Sequence, residues 1–139
     1  MTRFREEPQV LIIDDVLATR LVVRDMLMQM GISRVTEAAD GIEALDVLHR
    51  VGAQLIICDL FMDDMHGGSL LSVASKDARL RTIPFIMMSA NADAYMVKAA
   101  LEMGAWDFLV KPLAFQDFRD RVVKVLRTRA ADKTALSLS

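Results

Sequence analysis

Four short runs of apolar residues, each stopped by a charged or hydroxyl side chain, set the architecture open to this chain. Residues 10–13, 55–58, 85–88 and 108–110 are uninterrupted Val, Leu, Ile, Met, Phe and Cys, and a weaker run lies at 34–37. A strand with one solvated face alternates apolar and polar residues, whereas a strand apolar at every position must be covered on both faces. The runs therefore read as parallel strands of a central sheet flanked by helices. Between them lie longer stretches with helical spacing. Thr19, Val22, Val23, Met26, Leu27 and Met30 form one apolar stripe, which Gly31 ends as a C-cap. Residues 41–50, 68–76 and 92–103, the last stopped at Gly104, follow the same logic, and Phe115, Phe118, Val122, Val125 and Leu126 make a final stripe. Strict alternation of five strands and five helices with short links predicts right-handed crossovers and a doubly wound α/β sandwich.

At 139 residues with 53% hydrophobic content, the chain has material for one core and little room for a second domain. A net charge of −2 gives no global basic excess, so nucleic acid is not an expected partner. The lone cysteine, Cys58, has no intramolecular partner, and the first seven residues lack the apolar stretch of a secretory signal, which together predict a cytoplasmic setting. No apolar run approaches the roughly 20 residues that span a bilayer, so no membrane association is expected. Residues 1–8 read as an N-terminal extension, 9–129 as the domain, and 130–139, small, polar and unpatterned, as a flexible tail. Several of the ten methionines fall at stripe positions, where a flexible side chain fills core gaps.

The charges are placed where such a sheet does chemistry. Asp14 and Asp15 close the first apolar run, Asp59 the third strand, Ser89 the fourth and Lys111 the fifth. In a doubly wound sheet the strand C-terminal ends converge on one edge, so three carboxylates come to share one pocket. Like charges crowded together raise a carboxylate pKa or recruit a cation, and hard oxygen donors favour Mg²⁺. Lys111 adds a compact positive charge that suits a phosphoryl oxygen, and Ser89 adds a hydroxyl. A carboxylate nucleophile, a metal and donors for equatorial oxygens are the parts of a phosphoryl-transfer site. Asp59, alone at the end of the central strand, is the nucleophile candidate, with Asp14 and Asp15 better placed to hold metal. A single Asp at a strand end is ordinarily a turn or cap residue, but four coincident strand ends exceed that explanation.

These motifs, Ile12, Ile13, Asp14, Asp15, then Ile57, Cys58, Asp59, Leu60, then Met88, Ser89, Ala90, and last Phe108, Leu109, Val110, Lys111, Pro112, resemble the response-regulator receiver family over residues 9–129. The resemblance implies a flavodoxin-like sheet in strand order 2-1-3-4-5. It implies phosphorylation of Asp59 by a sensor histidine kinase or phosphotransfer protein, and Mg²⁺ held by Asp15, Asp59 and the Phe61 carbonyl, with Asp14 acting through water. Ser89 and Lys111 would hold the phosphoryl group, Ser89 and Phe108 would form the switch, and the Lys111-Pro112 bond would be cis. The output partner stays unnamed, and a homodimer on phosphorylation joins the expected interactions.

Departures from the family pattern carry their own expectations. Met62 is followed by Asp63 where the family has proline, and Asp63 and Asp64 add negative charge near the site. Phe61, two residues past the acceptor, should shield an acyl phosphate from water and slow self-dephosphorylation. Leu17, Leu21 and Met28 share a face of the first helix outside its core stripe, a docking surface or a scatter of exposed apolar residues. Tyr95 and Trp106 are proposed as a second patch, with half-buried packing the alternative for Trp106. His49 and His66 lack metal spacing and read as surface residues, Cys58 as a buried, inert thiol, and the basic residues of the last helix as a solvated face. An aspartyl phosphatase of the haloacid-dehalogenase type would need an acid two residues past its nucleophile, where Val16 and Phe61 stand. A receiver-like scaffold that signals without phosphorylation remains the other reading.

Overall fold

The computed structural model describes residues 7–62, 67–91 and 93–138. Among them the order is β1 (Val10–Ile13), α1 (Leu17–Gln29), β2 (Val35–Ala38), α2 (Gly41–Arg50), β3 (Leu55–Asp59), α3 (Gly67–Ser75), β4 (Phe85–Ser89), α4 (Ala94–Glu102), β5 (Asp107–Val110) and α5 (Phe115–Leu138). All pairings are parallel and the sheet order is β2-β1-β3-β4-β5, the flavodoxin-like arrangement expected from the sequence.

Successive strand residues face opposite sides, so each uninterrupted apolar run feeds two cores. Leu11, Ile13, Ile56, Cys58, Phe85, Met87 and Phe108 pack under α2, α3 and α4 through Val47, Leu48, Leu70, Leu71, Ala74 and Ala100. Val10, Ile12, Leu55, Ile57, Ile86, Met88 and Leu109 pack under α1 and α5 through Val23, Met26, Leu27, Phe118, Val122 and Val125. Met26, Met30, Met62, Met87 and Met88 are all buried, which is the gap-filling role expected of them.

Local chemistry fixes the helix ends. Asp40 accepts the Glu43 backbone N–H at 2.8 Å while the Glu43 carboxylate reaches back to the N–H of Ala39, and Asp93 caps α4 by accepting from Met96 N at 2.8 Å. Gly31 and Gly104 end α1 and α4 with φ of +83° and +113°, a left-handed conformation that a side chain would oppose.

Two expectations change. Val22, counted with the core stripe of α1, is 47% exposed. It stands about 100° around the helix from Val23, just outside the face that Val23, Met26 and Leu27 turn to the sheet. The backbone of α5 continues as helix to Leu138, where a frayed tail is expected from residue 130. Residues 130–138 hold neither Gly nor Pro, so no residue there stops the helix that the buried stripe starts.

Candidate functional site

Register brings the acidic residues together. Ile13 pairs with Cys58 and Asp59 with Met88, so Asp14 and Asp59 leave adjacent strands at the same level. Ser89 pairs with Val110, and the Lys111 N–H donates to the Ser89 carbonyl at 2.9 Å, which sets Lys111 on the same edge. The Lys111-Pro112 bond is cis, as the resemblance implies.

Lys111 Nζ lies 2.8 Å from Asp14 Oδ2 and 3.1 Å from Asp59 Oδ1, an ammonium shared by two buried carboxylates. Asp14 is wholly buried and its other oxygen accepts the Val16 N–H at 2.8 Å, while Asp15 is exposed at the mouth. One oxygen from each of Asp14, Asp15 and Asp59 lies within 4.8 Å of the others, a donor set of hard oxygens suited to Mg²⁺.

Burial pushes the Asp59 carboxyl above its ordinary range. The Lys111 hydrogen bond pulls it back down, and the Asp14 and Asp15 charges push it up again. Burial also disfavours the Lys111 charge, but the hydrogen bonds and charges of Asp14 and Asp59 outweigh this and hold the ammonium above its usual value. Neutralising either carboxylate therefore weakens the lysine's hold, and removing the lysine leaves two anions facing each other.

Ser89 is 2% exposed, and its Oγ accepts the Asn91 N–H at 3.1 Å and donates to the Asn91 carbonyl at 3.4 Å, the local turn bonds of a hydroxyl to backbone two residues on. Phe108 is 4% exposed and lies in the core under α2, α3 and α4. Phe61 is half exposed beside the end of β3. Cys58 is buried, its thiol donating to the Asp59 carbonyl at 3.3 Å, and burial followed by the Asp59 and Asp14 charges pushes its pKa up. His49 is exposed, while Asp63, Asp64 and His66 lie outside the described residues.

Leu17, Leu21 and Met28 are all exposed on α1. Tyr95 and Trp106 do not form one compact patch. Tyr95 is in the first turn of α4, by the strand C-terminal ends, whereas the Trp106 N–H donates to the carbonyl of Phe85 at the N-terminal end of β4. The length of α4, on the order of 14 Å, separates them, and Trp106 instead lines a cleft with Leu71, Ala74, Ile83, Phe85 and Met103.

Two contributors escape the motif-based reading. A Cβ added to Gly67 would stand 2.3 Å from the Asp59 carbonyl oxygen, so α3 approaches β3 only because residue 67 has no side chain. Arg20 donates to the Asp14 carbonyl at 2.6 Å. Glycine after β3 is a sequence signal for close approach; the arginine contact is tertiary and leaves no spacing to read.

The response regulator receiver domain model matches residues 10–123. The chain belongs to that family. The receiver is 30% identical over 117 residues to chemotaxis protein CheY of Pseudomonas aeruginosa, spanning 84% of this chain and 94% of that one. Its fold matches the signal receiver domain of a signal transduction histidine kinase from Syntrophus aciditrophicus with a TM-score of 0.78 and 29% identity, over 87% of this chain and 91% of the other. It also matches chemotaxis response regulator CheY4 of Vibrio cholerae with a TM-score of 0.73 and 27% identity, over 86% and 96%. Receivers are signalling proteins governed by phosphorylation, with histidine kinases or phosphotransfer proteins on one side and output proteins on the other, and they bind Mg²⁺ in an acidic pocket. Among the described residues, no helix is long and apolar enough to cross a membrane.

Proposed function

We propose that Asp59 is the phosphoryl acceptor of a cytoplasmic two-component pathway, charged by a histidine kinase or phosphotransfer protein. The observation that carries this reading is Lys111 Nζ shared between Asp14 and Asp59 beside an exposed Asp15. An Asp59 oxygen attacks the donor phosphorus, the donor's P–N bond breaks, and an acyl phosphate forms. The donor nitrogen keeps the electron pair of the broken bond. Lys111 then has a phosphoryl oxygen to hold in place of the Asp59 carboxylate it pairs with now, and Ser89 exchanges its turn bond for a second oxygen.

Asp14, Asp15, Asp59 and the Phe61 carbonyl would hold Mg²⁺, with Asp14 acting through water. Bound there, the ion supplies positive charge against the acidic set and the incoming phosphoryl oxygens. When Ser89 turns toward the phosphoryl group it leaves its present partner, and Phe108, one strand away and packed in the core, is the ring whose placement follows. The exposed Leu17, Leu21 and Met28 of α1 receive the donor, and the exposed Tyr95 of α4 is offered to the output protein.

Intact mass after acetyl phosphate treatment, with and without Mg²⁺, tests the reading on wild type and Asp59→Asn. A Mg²⁺-dependent gain of a single phosphoryl group, absent in the variant, is expected. No gain under any condition would make the protein a scaffold that binds without phosphorylation.

A further inference from the structure

Asp15 is the exposed member of the acidic set and sits in the turn between β1 and α1, so something must fix the direction in which it leaves the strand. The N-cap residue of α1, Val16, offers no side-chain cap. The turn is held by the Asp14 N–H on the Ala38 carbonyl at 3.1 Å and by the Val16 N–H on Asp14 Oδ1 at 2.8 Å. A third bond comes from outside the turn. Arg20 Nη1, one helical turn into α1, donates to the Asp14 carbonyl at 2.6 Å. That carbonyl belongs to the peptide joining Asp14 to Asp15, and fixing the plane of this peptide sets the course of the chain into Asp15.

Arg20 is itself anchored. Its Nε lies 3.0 Å from Glu37 Oε1 on β2, and Arg24 grips the other Glu37 oxygen through Nε at 2.9 Å and Nη2 at 2.7 Å. Glu37 pairs in register with Ile12, two residues before Asp14, so the clamp is referred to the same strand whose end it holds. Burial opposes the Glu37 charge, but the two arginines prevail and keep it ionised below its ordinary range. A planar guanidinium reaches the carbonyl and the carboxylate at once, which an ammonium at the same place cannot do with the same geometry.

We propose that Arg20 is a positioning residue for the metal, acting through the Asp14 carbonyl, with Glu37 and Arg24 as its mount. The inference rests on the Mg²⁺ reading above and adds to it a residue that touches none of the reacting groups. It also links α1, whose outer face carries Leu17 and Leu21, to the acidic pair by one side chain.

The test is calorimetric titration of Mg²⁺ into the full chain, free of any phosphodonor, for wild type, Arg20→Met and Arg24→Met. Methionine keeps much of the apolar stem and removes the donors. Loss of an outer partner of a metal ligand commonly weakens binding about 10-fold to 100-fold, and that is expected for Arg20→Met. Arg24→Met breaks a partly exposed ion pair and leaves the Asp14 carbonyl held, so it should weaken binding less than about fivefold. Arg20→Lys, with a donor but no fork, should fall between. Wild-type affinity in Arg20→Met, or equal losses in Arg20→Met and Arg24→Met, would overturn the proposal. If Arg20→Met does not fold, wild-type affinity in Arg20→Lys would overturn it. A wild type that binds no Mg²⁺ would instead refute the metal site itself.

Discussion

Gly67 and Gly68 stand next to each other at the start of α3, yet alanine should have opposite effects at the two. At Gly68 a Cβ would meet Met103 Cε at 3.4 Å and Leu60 Cδ1 at 4.0 Å, which is ordinary contact. The substitution then gains only what Ala gains over Gly in a helix, about 0.5–1 kcal/mol. At Gly67 the same atom would stand 2.3 Å from the Asp59 carbonyl oxygen and 2.6 Å from Met87 Cε. The methyl of Met87 can turn away, but the carbonyl is the end of a buried strand and its neighbour Leu60 is already bonded to Met88 through N–H to carbonyl at 2.9 Å. Overpacking of this kind costs about 1–3 kcal/mol, and a rigid opponent points to the upper part of the range. After the helical gain is subtracted, Gly67→Ala should lose about 2 kcal/mol, roughly a 30-fold fall in the folded-to-unfolded ratio. Where the clash is relieved by the Asp59 carbonyl instead of by α3, the acceptor's backbone is displaced, and a shift near 1 Å at a reacting group costs on the order of 100-fold. Urea unfolding of both variants measures the stabilities, with an unchanged m-value to confirm two comparable transitions. Acetyl phosphate labelling at saturating Mg²⁺ measures the second effect. Equal stability of Gly67→Ala and wild type, or stabilisation of both variants, would refute the argument from close approach.

Other outcomes follow from the site. Lys111→Met should slow labelling of Asp59 about 100-fold or more while preserving Mg²⁺ affinity, because the metal no longer shares Asp14 and Asp59 with an ammonium; unimpaired labelling by mass spectrometry would count against the lysine's role. Asp59 has its pKa raised in the folded state, so it binds its proton more tightly folded than unfolded. By linkage its contribution to stability is complete below the ordinary carboxylate range and is lost as pH rises through its folded pKa. In metal-free solution the stability of wild type relative to Asp59→Asn should therefore decline from acid toward neutral pH. A flat difference between the two in urea unfolding across that window would exclude the linkage. Phe61→Asn should shorten the lifetime of the phosphorylated form, as followed by loss of the added mass, and an unchanged or longer lifetime would dismiss the ring as a water shield.

The strands were legible because their surroundings are extreme. Parallel strands buried on both faces carry no polar interruption, so Val10–Ile13 reads without error and β3 and β4 differ from their apolar runs only by the Asp or Ser that ends them. The same ends carry the polar side chains, which is why Asp14, Asp59, Ser89 and Lys111 are brought together by spacing and topology alone. Val22 was misplaced because a stripe read at period 3.6 has ill-defined borders, and only packing tells a flank from a face. Tyr95 and Trp106 were grouped as the face receivers often use for output, and only the structure shows that α4 carries them to opposite ends of the strands. Arg20, Glu37 and Arg24 had no reason to be associated in one dimension: the ion pair they form depends on the pairing of β1 with β2. The weak run at 34–37 hid that strand's partners, since β2 is an edge strand with partly exposed side chains.

The bond between Lys111 and Asp14 closes a loop of 97 residues, and that between Lys111 and Asp59 one of 52. A chain emerging from the ribosome has its acidic residues long before the lysine that balances them, and it obtains that lysine only when the last strand docks beside β4. Until then the carboxylates repel one another and an incoming phosphoryl group lacks that cation. On the proposed reading, competence to accept a phosphoryl group therefore arrives only with completion of the sheet, and an unfinished chain is left out of the pathway.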